Sequence, residues 1–167
     1  MIKRLNSTDK RYYIFMILTI AVAAFYAALM CNKTMPFAEG WYTYYAQLIN
    51  EKGLLYRDFE YLFSPLYIYF IAFITRFFGY DILTLRCVGI LMFVIIALGV
   101  YLFITEIVGR KKAWIAAITS VTAVMYLQSE VVQIFYDYIR LMDIFAVFTV
   151  LFLIRAVKAM EHSENQG

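Results

Sequence analysis

Long apolar runs, separated by short basic or acidic stretches, set the pattern of this chain. Residues 12–31 carry no charge and are long enough to cross a hydrocarbon core that takes about 20 helical residues. Three further apolar runs cover 82–108, 113–130 and 138–159. Between the first two lies a stretch, 32–80, rich in aromatic and acidic residues, with a shorter apolar piece at 66–78. Lys3, Arg4, Lys10 and Arg11 precede the first run, as in a signal peptide. The run is too long for one and lacks a small-residue cleavage site, so it predicts a retained span.

Charge decides how the runs are threaded. If 66–78 crossed the bilayer, parity would put the basic turn Gly109-Arg110-Lys111-Lys112 outside, against the cytoplasmic preference of Lys and Arg that the amino terminus must also satisfy. With 66–78 lying in the interface, the amino terminus, the basic turn and Arg155/Lys158 all face the cytoplasm, and the 32–80 loop faces the exterior. Pro65 suits the first turn of that helix and Gly79 its end, while Arg76 must snorkel or pair. The predicted fold is all-α: a multi-pass protein of the cell membrane, one domain over 1–167, with about four transmembrane helices plus interfacial helices in its first external loop. Both termini are cytoplasmic, and the polar tail is a disordered end.

Composition agrees, with 64% apolar, 19% aromatic and 16% charged residues, far from a soluble domain. The lipid bilayer is thus the first expected partner. The net charge of +3 is accounted for by the basic turns. No P-loop, dinucleotide glycine pattern, metal-type cysteine cluster or basic stripe for nucleic acid occurs.

Candidate chemistry concentrates in 36–65, PFAEGWYTYYAQLINEKGLLYRDFEYLFSP. Carboxylates held at a membrane surface cost solvation energy unless paired, so Glu39, Asp58 and Glu60 suggest a site. Trp41, Tyr42, Tyr45, Leu48 and Ile49 recur at helical spacing, Thr43, Gln47, Asn50 and Glu51 take the opposite face, and Gly53 is the expected carboxyl cap. This predicts an amphipathic surface helix with Glu39 just before its start, where the backbone dipole favours a carboxylate. The competing reading of Glu39 is a helix-start charge, and that of the aromatics an interfacial belt. Asp81, Arg86, Glu130, Asp137, Arg140 and Asp143 fall on the same outer side. Asp137, Arg140 and Asp143 share a helical stripe and read as packing ion pairs, Asp137 with Arg140 first. Arg86 offers the planar fork that phosphate recognition needs.

In order along the chain, Glu39-Gly40-Trp41-Tyr42, Ala46-Gln47-Leu48-Ile49, Gly53 with Leu55-Tyr56-Arg57-Asp58-Phe59, Ser64-Pro65-Leu66, Phe78-Gly79 and Leu85-Arg86-Cys87-Val88-Gly89-Ile90-Leu91 resemble the amino-terminal part of GT-C glycosyltransferases. That class includes protein O-mannosyltransferases and lipid A aminoarabinose transferases. Tyr136-Asp137-Tyr138 and the apolar run after it are similar to the family's fourth span. The resemblance implies transfer of a sugar, with inversion, from a polyprenyl-phosphate donor to an acceptor on the extracytoplasmic side.

Carried over, the family's acidic pair falls on Ala38-Glu39, so only Glu39 remains as the candidate catalytic base. The acid before the family's proline-leucine element corresponds to Asp58 or Glu60, and the pattern does not choose between them. Asp58, Glu60, Arg86 and Arg140 are the substrate-binding candidates. The arginines would meet the charge developing on the leaving phosphate; alternatively Asp58 and Glu60 would hold a divalent metal ion through their hard oxygens. Beyond that ion no cofactor is expected. Full-length relatives continue through many more spans, so the expectation is a truncated or split member whose remaining spans come from a partner chain. The alternative is a non-catalytic membrane subunit that binds or flips a lipid-linked sugar.

Overall fold

The computed structural model describes residues 6–30, 37–62, 65–129 and 138–164, without the side chains of 37–39, 127–129, 138, 162 and 164. Among the described residues the regular structure is helical: α1 Ser7–Met30, α2 Phe37–Asn50, α3 Pro65–Phe78, α4 Ile82–Val108, a 3-10 turn Arg110–Lys112, α5 Ala113–Ser129 and α6 Tyr138–Glu164. The predicted run 82–108 coincides with α4. Helix α6 continues to Glu164, past the expected end at 159, because Ala159, Met160 and Glu161 are good helix formers with no breaker among them. The tail is thus helical as far as it is described. By length and composition α1 and α4 can each cross a membrane.

Helix α4 is the hub against which α1, α5 and α6 pack. Small residues make these contacts: Thr19, Ala23 and Ala27 on α1, Ala113, Ala116, Ala117 and Ser120 on α5, and Ala97 and Gly99 on α4 are buried. Ser120 Oγ donates to the Ala97 carbonyl at 2.5 Å. Large apolar side chains point the other way, including Ile14, Ile17, Phe25 and Leu29 on α1, Trp114 and Ile118 on α5, and Phe145, Phe152 and Leu153 on α6. Bulky residues fill the rest of the interior, Leu85, Phe93, Ile96 and Tyr101 on α4 and Leu151 on α6, while the small ones let the helix backbones approach closely.

Gly99 shows how close that approach is. A Cβ there would stand 2.7 Å from Val147 Cγ1 and 3.2 Å from Phe148 Cε2 on α6, and Val147 has little χ1 freedom to move aside. Gly99→Leu should therefore cost about 1–3 kcal/mol by overpacking, read as a lowered melting temperature in detergent. Gly40→Ala, where nothing lies within 4 Å, should melt close to wild type.

Polar contacts fix which helix ends lie together. Arg110 pairs with Asp9 at 3.1 Å and stacks over Tyr12, and Tyr101 Oη donates to the Tyr12 carbonyl at 2.6 Å. Arg155 pairs with Glu106 at 2.9 Å, and Lys158 Nζ donates to the Glu106 carbonyl. The start of α1, the 3-10 turn and the end of α6 thus share one end of the bundle. Lys10, Arg11, Lys111 and Lys112 join them there.

Helices α2 and α3 pack on each other beside the first turns of α4, at the opposite end. They run parallel. Tyr42 meets Tyr67 edge-on at 5.1 Å near both starts, and Asn50 Nδ2 donates to the Ala72 carbonyl at 2.9 Å toward both ends. The connection returns along α2, packing Phe59 and Tyr61 against Tyr45. Gly79, at φ +86°, ends α3 as expected, with its N–H donating to the Thr75 carbonyl. Asp81 then caps α4, accepting from Leu83 N at 3.1 Å.

Candidate functional site

Helix α2 begins at Phe37, so Glu39 sits inside its first turn rather than just before it; the Glu39 side chain lies outside the described residues. Two other expectations for this helix change. Trp41 is exposed, away from the face that Tyr42 and Ala46 bury, and Asn50 turns inward to α3. The cap also differs. Lys52 N–H bonds the Ile49 carbonyl at 3.1 Å and Gly53 N–H the Leu48 carbonyl at 2.9 Å, the paired bonds of a Schellman motif. Lys52, not Gly53, takes the left-handed position, at φ +73°. Gly53 is needed for space, since a Cβ there would stand 2.8 Å from the Leu48 carbonyl oxygen.

Asp58 closes a tight turn. Its Oδ2 accepts from Leu54 N at 2.7 Å, and both oxygens accept from the Arg57 guanidinium at 2.9 and 3.0 Å. The Arg57 hydrogen bonds, and after them the Leu54 N–H, hold the Asp58 carboxyl below the usual carboxylate range. A lowered folded-state value means that the pairing helps the fold above the ordinary range and fades as pH falls through the lowered value. Asp58→Asn should speed amide exchange at Tyr56 and Asp58 at neutral pH. The wild-type turn should show the same loss only at strongly acidic pH.

In this geometry Asp58 is engaged by Arg57, and a divalent ion there would compete with the guanidinium. Among the described residues no three of His, Cys, Asp and Glu form a metal-holding group. Glu60 is exposed just beyond the turn.

Arg140 is also committed. Its side chain is 2% exposed, Nη1 lies 2.8 Å from Asp143 Oδ2, and its guanidinium covers the Phe93 ring at 5.4 Å. Of the packing pairs read from the stripe, Arg140–Asp143 is present; Asp137 lies outside the described residues. Arg86 is half-buried on the second turn of α4, two turns or about 10 Å along the helix from Phe93.

One polar site was not anticipated. A cleft of about 620 Å³ opens where α2 and α3 end, lined by Ile49, Asn50, Lys52, Thr75, Arg76, Gly79 and Tyr80. Among the described residues neither Lys52 nor Arg76 forms an ion pair. The available signal was Arg76, a cation in an interfacial apolar helix; its meeting with Lys52 depends on the parallel pairing of α2 and α3. Beside the cleft, an apolar groove of about 390 Å³ between α3 and α4 is lined by Ile74, Phe78, Leu83, Thr84, Cys87, Val88 and Leu91.

The chain matches no family model, no curated protein and no solved structure.

Proposed function

We propose that the chain is a multi-pass membrane protein whose outer surface transfers a sugar from a polyprenyl-phosphate donor, with α1, α4, α5 and α6 as spans and α2 and α3 in the interface. The observation that carries this reading is the opposition of the two ends. The aromatic α2 begins at Phe37, with Glu39 in its first turn, on the end away from Lys10, Arg110, Lys111, Lys112, Arg155 and Lys158. That more basic end suits a cytoplasmic side, while Lys52, Arg57 and Arg76 lie toward the other. Helix α5, at 17 residues, rises about 26 Å, close to the hydrocarbon thickness. Helix α6 carries an uncharged run from 144 to 154, and its outward residues are bulky and apolar.

In the proposed reaction an acceptor hydroxyl oxygen bonds to the anomeric carbon as the bond from that carbon to the phosphate oxygen breaks. The lipid phosphate leaves with the electron pair, and Glu39 takes the hydroxyl proton. Arg86, whose planar fork suits a phosphate, is the guanidinium assigned to the departing phosphate. The ion pairs of Asp58 and Arg140 favour a second reading, a subunit that holds a lipid-linked sugar without transferring it. The test is sugar transfer from radiolabelled polyprenyl-phosphate sugars in membranes containing the inserted chain. Transfer above empty membranes is expected, and donor retention without transfer would replace the enzyme with the binding subunit.

A further inference from the structure

The cleft at the ends of α2 and α3 differs in place and chemistry from the Glu39 end. From Glu39 to Asn50 is eleven residues of α2, or about 16 Å of rise. Two cations line the cleft, and helix carbonyl ends attract cations, so charge alone would be explained by capping. The left-handed Lys52, at φ +73°, belongs to the same cap. Asn50 Nδ2, which donates to the Ala72 carbonyl, and Thr75 Oγ, which donates to the Ile71 carbonyl, form the polar wall beside the two cations. What capping leaves unexplained is apolar. Leu66, Tyr69, Phe73 and Phe77 form an exposed stripe along α3, and the groove of Ile74, Phe78, Leu83, Cys87 and Leu91 adjoins the same last turn.

We propose that the Lys52/Arg76 cleft binds the headgroup of an anionic phospholipid, whose acyl chains lie along the groove between α3 and α4. A phosphodiester supplies a negative charge that no described residue brings to the two cations as an ion pair. The cleft, at about 620 Å³, has room for a phosphoglycerol headgroup. The proposal rests on the membrane half of the reading above and not on sugar transfer.

The test is native mass spectrometry of the full chain in detergent, offered phosphatidylglycerol and phosphatidylcholine side by side. Wild type should retain phosphatidylglycerol roughly tenfold better, as two cations at an anionic surface allow, and Lys52→Ala/Arg76→Ala should bring the two lipids level. Lys52→Gly should raise the melting temperature while weakening the preference, which separates capping from binding. Equal retention by wild type, or a preference that survives the double variant, would overturn the site. Displacement of the lipid by millimolar inorganic phosphate would overturn the phospholipid assignment, and resistance to it supports the assignment. A chain released from membranes by alkaline carbonate would fail the membrane reading itself; one that stays but shows no preference fails only this site.

Discussion

Asp143→Ala should lower stability by about 3 kcal/mol, toward the lower end of the range for removing one partner from a buried pair. Arg140 is 2% exposed and its guanidinium lies between Asp143 and the Phe93 ring, so the variant leaves a cation enclosed by apolar surface without its carboxylate. Two features moderate the loss: the Asp143 side chain is 27% exposed, and Arg140 keeps other contacts. Replacing both at once, Arg140→Met with Asp143→Leu, should recover most of it, because an apolar pair of similar volume asks for no desolvation of charge. Thermal unfolding in detergent checks both variants. A substrate-binding Arg140 predicts a different result, in which Asp143→Ala spares the melting temperature and the double variant loses donor binding. Recovery of stability in the double variant would assign the pair to the packing of α6 on α4.

The architecture was more legible than the site because different physics sets each. Apolar runs report burial or lipid contact one segment at a time, and 82–108 returned as α4. The signs of Arg110, Lys111 and Lys112 placed that turn with the start of α1, and Arg110 does pair with Asp9 there. Pairing between segments is another matter. The connection from 51 to 64 can reach about 46 Å when extended, more than twice the roughly 21 Å rise of α2. Residue spacing therefore allowed α3 to run either way along α2. The parallel choice brings Lys52 to Arg76 and turns Asn50 inward, and no periodicity within one helix announces that.

The committed carboxylates were partly readable. Arg57 and Asp58 are neighbours, and a neighbouring guanidinium is the first partner a loop carboxylate meets. Family resemblance drew attention to Asp58 as a ligand instead. The Arg140–Asp143 pair was readable from its spacing, since residues three apart are neighbours on a helix. Lys52 in the left-handed position ran against the expectation that Gly53 would take it, since glycine is favoured there. The close approach to the Leu48 carbonyl gives Gly53 a different necessity one residue later.

Glu39→Gln should reduce sugar transfer by a factor on the order of 10² to 10⁴, the usual contribution of a positioned general base, with insertion and melting temperature near wild type. The substitution keeps size and polarity in the first turn of α2 and removes the negative charge together with the capacity to take a proton. A helix-start charge predicts a different pattern, a few tenths of a kcal/mol of stability and transfer unchanged. Glu39→Asp then sharpens the distinction: it keeps the charge and shortens the reach, so a helix-start role leaves it like wild type, while a base displaced by one methylene loses alignment with the acceptor hydroxyl. Should Glu39→Gln transfer at the wild-type rate, the base is another group, and Glu39 serves only the start of α2.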